Sequence, residues 1–247
     1  MRPHFFRSIL KRAARPFAKP FPLDAIFLRA GRLIASGRLE GDYLEFGVFE
    51  GRTMTSAYKA IELGFAEAEA KLAGTPVDKA GLRDIWSRMR FYGFDSFAGL
   101  PPSRGCDATG DFKPGDFACS QSRARRNIAG HGVPEARFQL VEGWYGDTLK
   151  PATAEALKLR KAALIHIDCD LYESTKEALA FCKPLLIDGA ILVFNDWYCF
   201  KGNPDLGEQR AFREFCAEMR DWNAIEYQKN GAFANSFILT RKIGALI

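Results

Sequence analysis

The feature of this 247-residue sequence that most constrains its fold is the alternation of short apolar runs with segments of helical periodicity. Apolar runs at 42–48, 91–95, 138–142, 163–168 and 189–194 predict strands, and helical segments lie between most of them. Helices are predicted from about Thr53 to Gly64, where glycine suits the helix end, and at 209–222, while Ser174 with Glu177 predicts a capping box at the start of another helix. A parallel connection needs a crossover, usually a helix, so this alternation predicts an α/β fold with a mostly parallel sheet. Residues 224–228 and 236–240, joined through Asn230-Gly231, predict a final antiparallel hairpin.

The beginning of the chain differs from the rest in charge. Residues 1–23 hold six Lys or Arg and no acid, whereas the whole chain has a formal net charge of only +5. A nearly neutral body argues against binding of nucleic acid. Apolar residues at helical spacing predict a covering helix at 23–36. We expect residues 1–40 to form a basic arm and covering helix that acts as a lid, with residues 41–247 as the main domain; an organellar transit peptide is the alternative for the arm.

Composition limits the class of protein and its location. Hydrophobic residues make up 47% of the chain, charged residues 26%, and the mean hydropathy is −0.17, which favours a globular protein without a transmembrane segment. The six cysteines form no C-x-x-C pair and are expected to be reduced thiols. Arg7 interrupts the apolar run at 5–10, so no secretory signal is predicted. These observations favour a cytoplasmic location.

The turn after the first strand has the character of a ligand-binding loop. Its glycines, Gly47 and Gly51, permit close approach of a ligand to the backbone, and the helix beginning near Thr53 offers free N–H groups. The G-x-G-x-x-G spacing is absent, which favours a ligand with little or no phosphate. The alternative is a tight turn that only packs helix on strand.

Residues after the second strand suggest a nucleoside site next to a lid. Asp95 ends this strand, where acids accept hydrogen bonds from ribose hydroxyls; capping of the turn at Ser96 is the alternative. Residues 96–117 carry four glycines and three prolines, and irregular segments of this length are usually functional loops or disordered. We expect a lid.

Acidic and amide side chains follow two later strands. Asp168-Cys-Asp170 follows one strand and Asn195-Asp196 the next. The carboxyl ends of parallel strands meet at one edge of the sheet, so these oxygens are expected to converge, and oxygen ligands suit Mg²⁺. Capping of loops is the alternative interpretation.

Aromatic residues flank these acids and predict a wall for an organic substrate, or alternatively core packing. The candidate substrate residues are Tyr172, Trp197 and Tyr198. His166 lies inside an apolar strand and is expected to be a buried histidine with its hydrogen bonds satisfied rather than a catalytic one.

Five sequence blocks, in order, resemble the macrocin O-methyltransferase (TylF-type) family of class I S-adenosylmethionine (AdoMet)-dependent methyltransferases. They are Tyr43-Leu-Glu-Phe-Gly-Val-Phe-Glu-Gly-Arg-Thr53, Gly93-Phe-Asp-Ser-Phe-Ala-Gly-Leu-Pro101, Gly143-Trp-Tyr-Gly-Asp-Thr-Leu149, Asp168-Cys-Asp-Leu-Tyr-Glu-Ser-Thr175 and Asn195-Asp-Trp197. The resemblance implies a Rossmann-like, mostly parallel seven-stranded sheet with helices on both faces and an antiparallel final strand. It also implies AdoMet-dependent, Mg²⁺-assisted methylation of a hydroxyl on a small molecule, such as a sugar or natural product.

The resemblance also implies roles for individual residues. The cofactor-binding set comprises Glu45, Gly47, Gly51 and Thr53 near the methionine end, Asp95 and Ser96 near the ribose, and Gly143 with Trp144 near the adenosine. Asp168, Asn195 and Asp196 would hold the metal, with Asp168 also the catalytic base. The family usually has Asp-Asp where this chain has Asn195-Asp196.

Two other functions stay open at this point. One is a non-catalytic AdoMet-fold protein that binds a ligand or a partner, using the basic arm. The other is a nicotinamide-dependent oxidoreductase, which the glycine spacing disfavours. The oligomeric state and the identity of the acceptor are not encoded in any motif, and a homo-oligomer is compatible with the sequence.

Overall fold

The computed structural model of the protein describes residues 24–72, 76–108 and 112–243. The strands are β1 Asp42–Phe46, β2 Phe91–Asp95, β3 Phe138–Glu142, β4 Ala162–Ile167, β5 Leu186–Phe194, β6 Trp222–Glu226 and β7 Asn235–Arg241. The helices are α1 Ala25–Gly37, α2 Arg52–Lys71, α3 Pro76–Arg88, α4 Gln121–Gly130, α5 Tyr145–Thr148, α6 Pro151–Ala156, α7 Tyr172–Cys182 and α8 Gly207–Glu218.

Within the described ranges the strands form a seven-stranded sheet of order β3-β2-β1-β4-β5-β7-β6. Strands β1 to β5 are parallel, and β7 runs antiparallel between β5 and β6. The strand order reverses between β1 and β4, where open α/β sheets place their ligand crevice at the carboxyl ends. The predicted α/β fold class with its antiparallel ending is confirmed.

Helices cover both faces of the sheet because the central strands are apolar on both sides. Every residue of β4 is buried. On one face Phe27 of α1 and Met54 of α2 belong to one apolar cluster; on the other, Leu179 of α7 and Phe212 of α8 belong to a second. The site at the strand ends therefore rests on a rigid, doubly covered sheet.

Two helices end at residues other than those predicted. Gly64 was expected to end its helix, but α2 continues to Lys71. Gly64 lies where α2 crosses α1, and an added Cβ there would lie 2.5 Å from the carbonyl carbon of Gly31 in α1. The helix expected at 209–222 ends at Glu218, and Trp222 instead begins β6.

The predicted covering helix is α1, which packs against α2 and buries Ile26, Phe27, Ala30 and Ile34. The basic arm at 1–23 lies outside the described residues. No helix in the described ranges is long and apolar enough to cross a membrane. All six cysteines are free thiols, as expected from their spacing.

Candidate functional site

A cleft of about 800 Å³ opens at the carboxyl ends of β1, β2, β4 and β5. Gly47, Asp95 and Trp144 line it on one side, and Asp168 and Asp196 on the other. Its volume lies in the range of small-molecule and cofactor sites, about 300–1,000 Å³. The cleft therefore brings residues from several predicted sites into one space.

Gly47 allows β1 to end directly against β4. It has a φ of +92°, and an added Cβ would lie 1.8 Å from the carbonyl oxygen of Asp168. Only glycine tolerates both conditions without displacement of the backbone. Gly51, at a φ of +78°, packs against Ile128, whose Cγ1 would lie 2.4 Å from an added Cβ. Thr53 lies half-buried in the first turn of α2 and does not line the cleft.

Glu45 lies beneath the β1–α2 turn rather than in the cleft wall. Its side chain has an exposed fraction of 0%, and the Tyr43 hydroxyl donates to its Oε2 at 2.7 Å. Oε1 has no hydrogen-bond partner among the residues that the structure describes. Burial raises the pKa of Glu45 to about 8. Glu45 is thus a buried acid behind the loop.

Asp95 holds two loops at the cleft by accepting backbone hydrogen bonds. Its Oδ2 accepts from the N–H groups of Val48 and Phe49, at 2.7 and 2.8 Å, and its Oδ1 accepts from Phe97 at 2.7 Å. The capping alternative is therefore observed, and Oδ1 keeps a second lone pair that can accept from a ligand. Ser96 lines the cleft, and its hydroxyl donates to the carbonyl of Gly99 at 2.8 Å.

Residues after β3 add an aromatic surface. The Gly143 N–H donates to the Asp95 carbonyl at 2.9 Å, which fixes the start of this loop beside β2. Trp144 follows, lines the cleft and is 43% exposed. An exposed indole beside a cleft offers a flat apolar face to a ligand.

Carboxylates crowd the opposite side of the cleft. Burial and the neighbouring Asp196 raise the pKa of Asp168 well above its usual range. Burial, Asp196 and Asp168 raise the pKa of Asp170 to about 9. The Asn195 side chain hydrogen-bonds Asp168. Within the described ranges, Asp196 Oδ2 is buried without a hydrogen-bond partner. In the part of the chain that the structure describes, no three or more His, Cys, Asp or Glu side chains converge closely enough to hold a metal ion.

The sequence interpretation missed Glu208, an acid from the first turn of α8. It is 1% exposed, and its Oε2 accepts from the Asp196 N–H at 2.9 Å. This hydrogen bond fixes the backbone of the Asn195-Asp196 turn. Glu208 Oε1 has no hydrogen-bond partner in the part of the chain that the structure describes. The only sequence signal for it is an acid among the apolar positions of an amphipathic helix.

The three aromatic residues predicted as a substrate wall do not line the cleft. Trp197 packs against Phe237, with ring centroids 4.8 Å apart. It therefore takes part in core packing, which was the alternative interpretation. The Tyr172 hydroxyl donates to Glu214 at 2.7 Å, and Tyr198 lies beside Lys229. The cleft is lined instead by other aromatic residues, which are Phe49, Phe112, Phe117, Trp144, Tyr145 and Phe233.

His166 is buried, as expected, but its Nδ1 has no hydrogen-bond partner among the described residues, so the expectation that its hydrogen bonds are satisfied is wrong. Its ring lies edge-on to Phe27 at 5.3 Å, and burial lowers its pKa to about 3. With a pKa this low, the His166 ring stays neutral at physiological pH. It does not line the cleft.

The irregular segment at 96–117 supplies one wall of the cleft in its described parts. Leu100 and Asp116 pair through their backbones, with the Leu100 N–H 2.9 Å from the Asp116 carbonyl. Asp107, 2% exposed, accepts from the backbone N–H groups of Tyr172 at 2.8 Å and Glu173 at 3.2 Å. The predicted Ser174 capping box is therefore wrong: α7 begins earlier, and its capping carboxylate comes from a distant loop.

A family model described as macrocin-O-methyltransferase (TylF) matches residues 77–228. The 8-demethyl-8-(2,3-dimethoxy-alpha-L-rhamnosyl)-tetracenomycin-C 4'-O-methyltransferase of Streptomyces olivaceus is 27% identical over 175 residues, which cover 71% of this chain and 59% of that protein. The chain thus spans less than two thirds of this relative.

Solved structures show the same fold. The O-methyltransferase NovP superposes with a TM-score of 0.61 at 20% identity, covering 87% of this chain and 78% of that chain. CalS11, a TDP-rhamnose 3'-O-methyltransferase, gives a TM-score of 0.52 at 23% identity over 86% and 78% of the chains. A Bacillus cereus O-methyltransferase in complex with SAH gives 0.53 at 13% identity over 98% and 92%. Because the family model covers more than half of the chain, the predicted family resemblance is confirmed, and the chain belongs to the macrocin O-methyltransferase (TylF) family.

Proposed function

We propose that the protein is an AdoMet-dependent O-methyltransferase that methylates a hydroxyl of a small molecule with the assistance of Mg²⁺. The observation that carries this proposal is the cleft, in which a glycine turn of β1 faces carboxylates at the ends of β4 and β5. Methyl transfer needs a donor and an oxygen nucleophile held in line, and one cleft with two chemically different walls can hold both. Family membership supports the same reaction.

The glycine side of the cleft suits AdoMet. Gly47 lets a ligand approach the backbone, Asp95 keeps accepting capacity for a ribose hydroxyl, and Trp144 offers an exposed face for adenine. AdoMet supplies an electrophilic methyl group on a sulfonium. Glu45, Gly51 and Thr53 would act indirectly, because they shape the turn and do not line the cleft.

The acidic side suits a hard cation. Asp168, Asn195 and Asp196 offer oxygen donors, and among the described residues the buried Oδ2 of Asp196 has no hydrogen-bond partner. A cation held there would offset carboxylate repulsion and acidify the acceptor hydroxyl. Asp168 would take the hydroxyl proton in its ionised form, which a cation held beside it would favour against the burial that raises its pKa.

The acceptor is a hydroxyl-bearing small molecule, and the names of similar proteins suggest two forms. The Streptomyces olivaceus relative acts on a sugar of a glycosylated tetracenomycin, whereas CalS11 acts on TDP-rhamnose. We propose a sugar hydroxyl as the acceptor and a cytoplasmic location for the reaction. A homo-oligomer stays a prediction.

Calorimetry with S-adenosylhomocysteine tests the cofactor assignment. The Gly47→Ala substitution should abolish binding, because the new Cβ would force β1 away from Asp168. Gly130→Ala is the matched control, since an added Cβ there meets no atom within 4 Å, and it should bind as tightly as the wild type. Equal affinity in all three proteins would remove the β1 turn from the cofactor site.

A second titration tests the metal. Mg²⁺ should bind the wild type and fail to bind Asp168→Asn, while S-adenosylhomocysteine still binds that variant. Asn195→Asp should tighten Mg²⁺ binding, because it adds a carboxylate to the donor set. If the wild type binds no Mg²⁺, or if methyl transfer to an acceptor survives a chelator, the metal is not part of the mechanism. Binding of cofactor without turnover of any hydroxyl acceptor would favour the non-catalytic alternative.

A further inference from the structure

Residues 1–23, which lie outside the described residues, carry a charge pattern to which the proposed function assigns no partner. They hold six Lys or Arg and no acid, whereas the rest of the chain is nearly neutral. Positive charge concentrated in one segment attracts an anionic partner to that segment and not to the whole surface. The sequence therefore indicates that this segment has an anionic partner of its own.

The stretch between Pro3 and Pro16 has the spacing of an amphipathic helix. At about 3.6 residues per turn, all of its cations fall on one half of the helix surface and all of its apolar side chains on the other half. The cations are Arg7, Lys11, Arg12 and Arg15, and the apolar residues are Phe5, Phe6, Ile9, Leu10, Ala13 and Ala14. The two prolines suit the ends of such a helix, because proline is tolerated in the first turn and breaks a helix farther along.

This combination of faces suits a membrane surface better than a nucleic acid. A helix with Lys and Arg on one face and Phe, Ile or Leu on the other lies in the interface of a bilayer, with its apolar face buried at the acyl chains. Anionic lipid headgroups attract its cations. A nucleic acid would pair with the same cations, but its phosphates offer no apolar phase for Phe5, Ile9 and Leu10.

The described surface next to this segment is also basic. The Asp24 N–H donates to the Ser56 hydroxyl at 2.9 Å, so the segment joins the body beside the first turns of α2. Arg52, one turn before Ser56, is exposed at the start of α2. Helix α4 packs against α2 and carries the exposed Arg126. Neither arginine lines the cleft. An extended anionic surface can therefore meet cations of the segment and of the body together.

We infer that residues 4–15 bind the surface of an anionic lipid bilayer as an amphipathic helix, and that Arg52 and Arg126 face the same bilayer. The inference goes beyond the proposed function and does not depend on it. It agrees with the cytoplasmic location proposed above, because anionic lipids are displayed by the cytoplasmic leaflet of a membrane.

Flotation with lipid vesicles tests this inference on the full chain. One set of vesicles is phosphatidylcholine alone, and the other is phosphatidylcholine with phosphatidylglycerol in equal parts. We expect binding to the anionic vesicles only, and weaker binding as salt is added. Deleting residues 1–20 should abolish vesicle binding and leave binding of S-adenosylhomocysteine intact. Vesicle binding and methyl transfer are measured separately, so the proposed function and the lid expected of this segment are tested independently.

Charge variants test the cationic face. Arg7→Gln combined with Lys11→Gln should weaken binding to anionic vesicles about 30-fold, because each cation near an anionic surface contributes about 1 kcal/mol. Lys158→Gln combined with Arg160→Gln is the matched control, since these exposed cations lie at the opposite edge of the sheet, before β4. The control should bind vesicles as the wild type does. Equal losses in both double variants would overturn the inference, because only net charge would then matter.

Two further variants test the apolar face and the body. Ile9→Gln combined with Leu10→Gln keeps every cation and should weaken vesicle binding at least tenfold at low and at high salt. Unchanged binding in this variant would show a purely electrostatic contact and overturn the helix. Arg52→Gln combined with Arg126→Gln should weaken binding about tenfold, and no loss there would remove the body from the inferred surface.

Other partners for the segment would show themselves in the same measurements. Binding of a short single-stranded RNA that is tighter than binding of anionic vesicles, at equal ionic strength, would overturn the inference in favour of a nucleic acid. Mass spectrometry of the protein from its own cells tests the transit-peptide alternative, because a transit peptide is removed from the mature protein. A mature chain that begins after residue 15 would overturn the inference, whereas a chain that retains residues 4–15 supports it.

Discussion

At the residue scale, Asp42 shows how a single side chain at a strand end affects stability. Its Oδ1 accepts from the Arg90 N–H at 2.8 Å and so joins β1 to the start of β2. Burial outweighs this hydrogen bond and raises its pKa to about 6. In the unfolded chain an Asp has a pKa of about 3.9. Between these two values the folded state holds a proton that the unfolded state has released, so stability falls as the pH rises.

The Asp42→Asn variant should therefore gain stability relative to the wild type at neutral pH. Ionising the buried Asp42 costs the folded state about 3 kcal/mol at pH 7. A side-chain amide accepts the hydrogen bond from the Arg90 N–H less strongly than a carboxylate does, so the net gain in unfolding free energy should be about 1–2 kcal/mol. Below about pH 4 the gain should vanish, because Asp42 is then protonated in both states. Urea denaturation at both pH values measures this, with Glu155→Gln, which removes an exposed acid of α6, as the control. A variant less stable than the wild type at pH 7 would show that the carboxylate contributes favourably.

Residues of the site were predictable from the sequence where a strand end alone fixes their position. Asp95, Asp168 and Asp196 lie at the cleft because each follows a buried parallel strand. Asp107 and Glu208 were not predictable, since each accepts a hydrogen bond from a residue 65 or 12 positions away. The sequence carries no local signal for such a pairing.

At the element scale, the close contact between α1 and α2 depends on Gly31 and Gly64, which have no side chains to separate the helices. An added Cβ at Gly31 would lie 2.7 Å from the Cα of Ile61, and one at Gly64 would lie 2.5 Å from the carbonyl carbon of Gly31. All of these close atoms belong to backbone, which cannot rotate away. The two helices are therefore in contact along their main chains.

The Gly64→Ala variant should lose about 1–3 kcal/mol of unfolding free energy, because its methyl group would separate the helices. Alanine has a helix propensity about 1 kcal/mol better than that of glycine. Any loss of stability in this variant would therefore come from the contact between α1 and α2 and not from helix propensity. Gly81→Ala in α3 is the matched control, as its added Cβ would meet only the flexible end of Arg38, at 3.3 Å. If both variants are equally stable in urea denaturation, the crossing tolerates a side chain and the packing argument fails.

Element boundaries were predictable where apolar runs end at polar residues. The predicted bounds of β2 and β3 agree with the structure, at Phe91–Asp95 and Phe138–Glu142. The end of α2 was not predictable, because a glycine in a helix pattern has the same sequence signal whether it ends the helix or packs against another one. The start of α7 was missed for a related reason, since its cap comes from Asp107 rather than from the local Ser174.

At the scale of the whole molecule, the site results from the strand order. β1 pairs with both β2 and β4, so the turn after β1 lies beside Asp95 on one side and Asp168 on the other. The alternation of strands and helices predicts that these ends share one edge of the sheet. It does not predict which strands are neighbours, and this is why the contact between Gly47 and Asp168 appears only in the structure.

The boundary proposed at residue 40 between arm and main domain is tested by two truncations. Deleting residues 1–20 should leave a folded protein that binds S-adenosylhomocysteine, because the described core begins at Asp24, whose N–H donates to the Ser56 hydroxyl at 2.9 Å. Deleting residues 1–40 removes α1 and with it the buried Ile26, Phe27 and Ile34.

Each of these three side chains contributes about 1.5–3 kcal/mol on burial, so their summed loss approaches the total stability of a typical domain, about 5–15 kcal/mol. The longer deletion should therefore abolish cooperative unfolding and cofactor binding together, as measured by circular dichroism and calorimetry. The shorter deletion should preserve both, and loss of methyl transfer alone in that protein would support a lid role for the arm. Should the longer deletion unfold as cooperatively as the full chain, α1 would be an accessory to the core, and the domain would begin at β1.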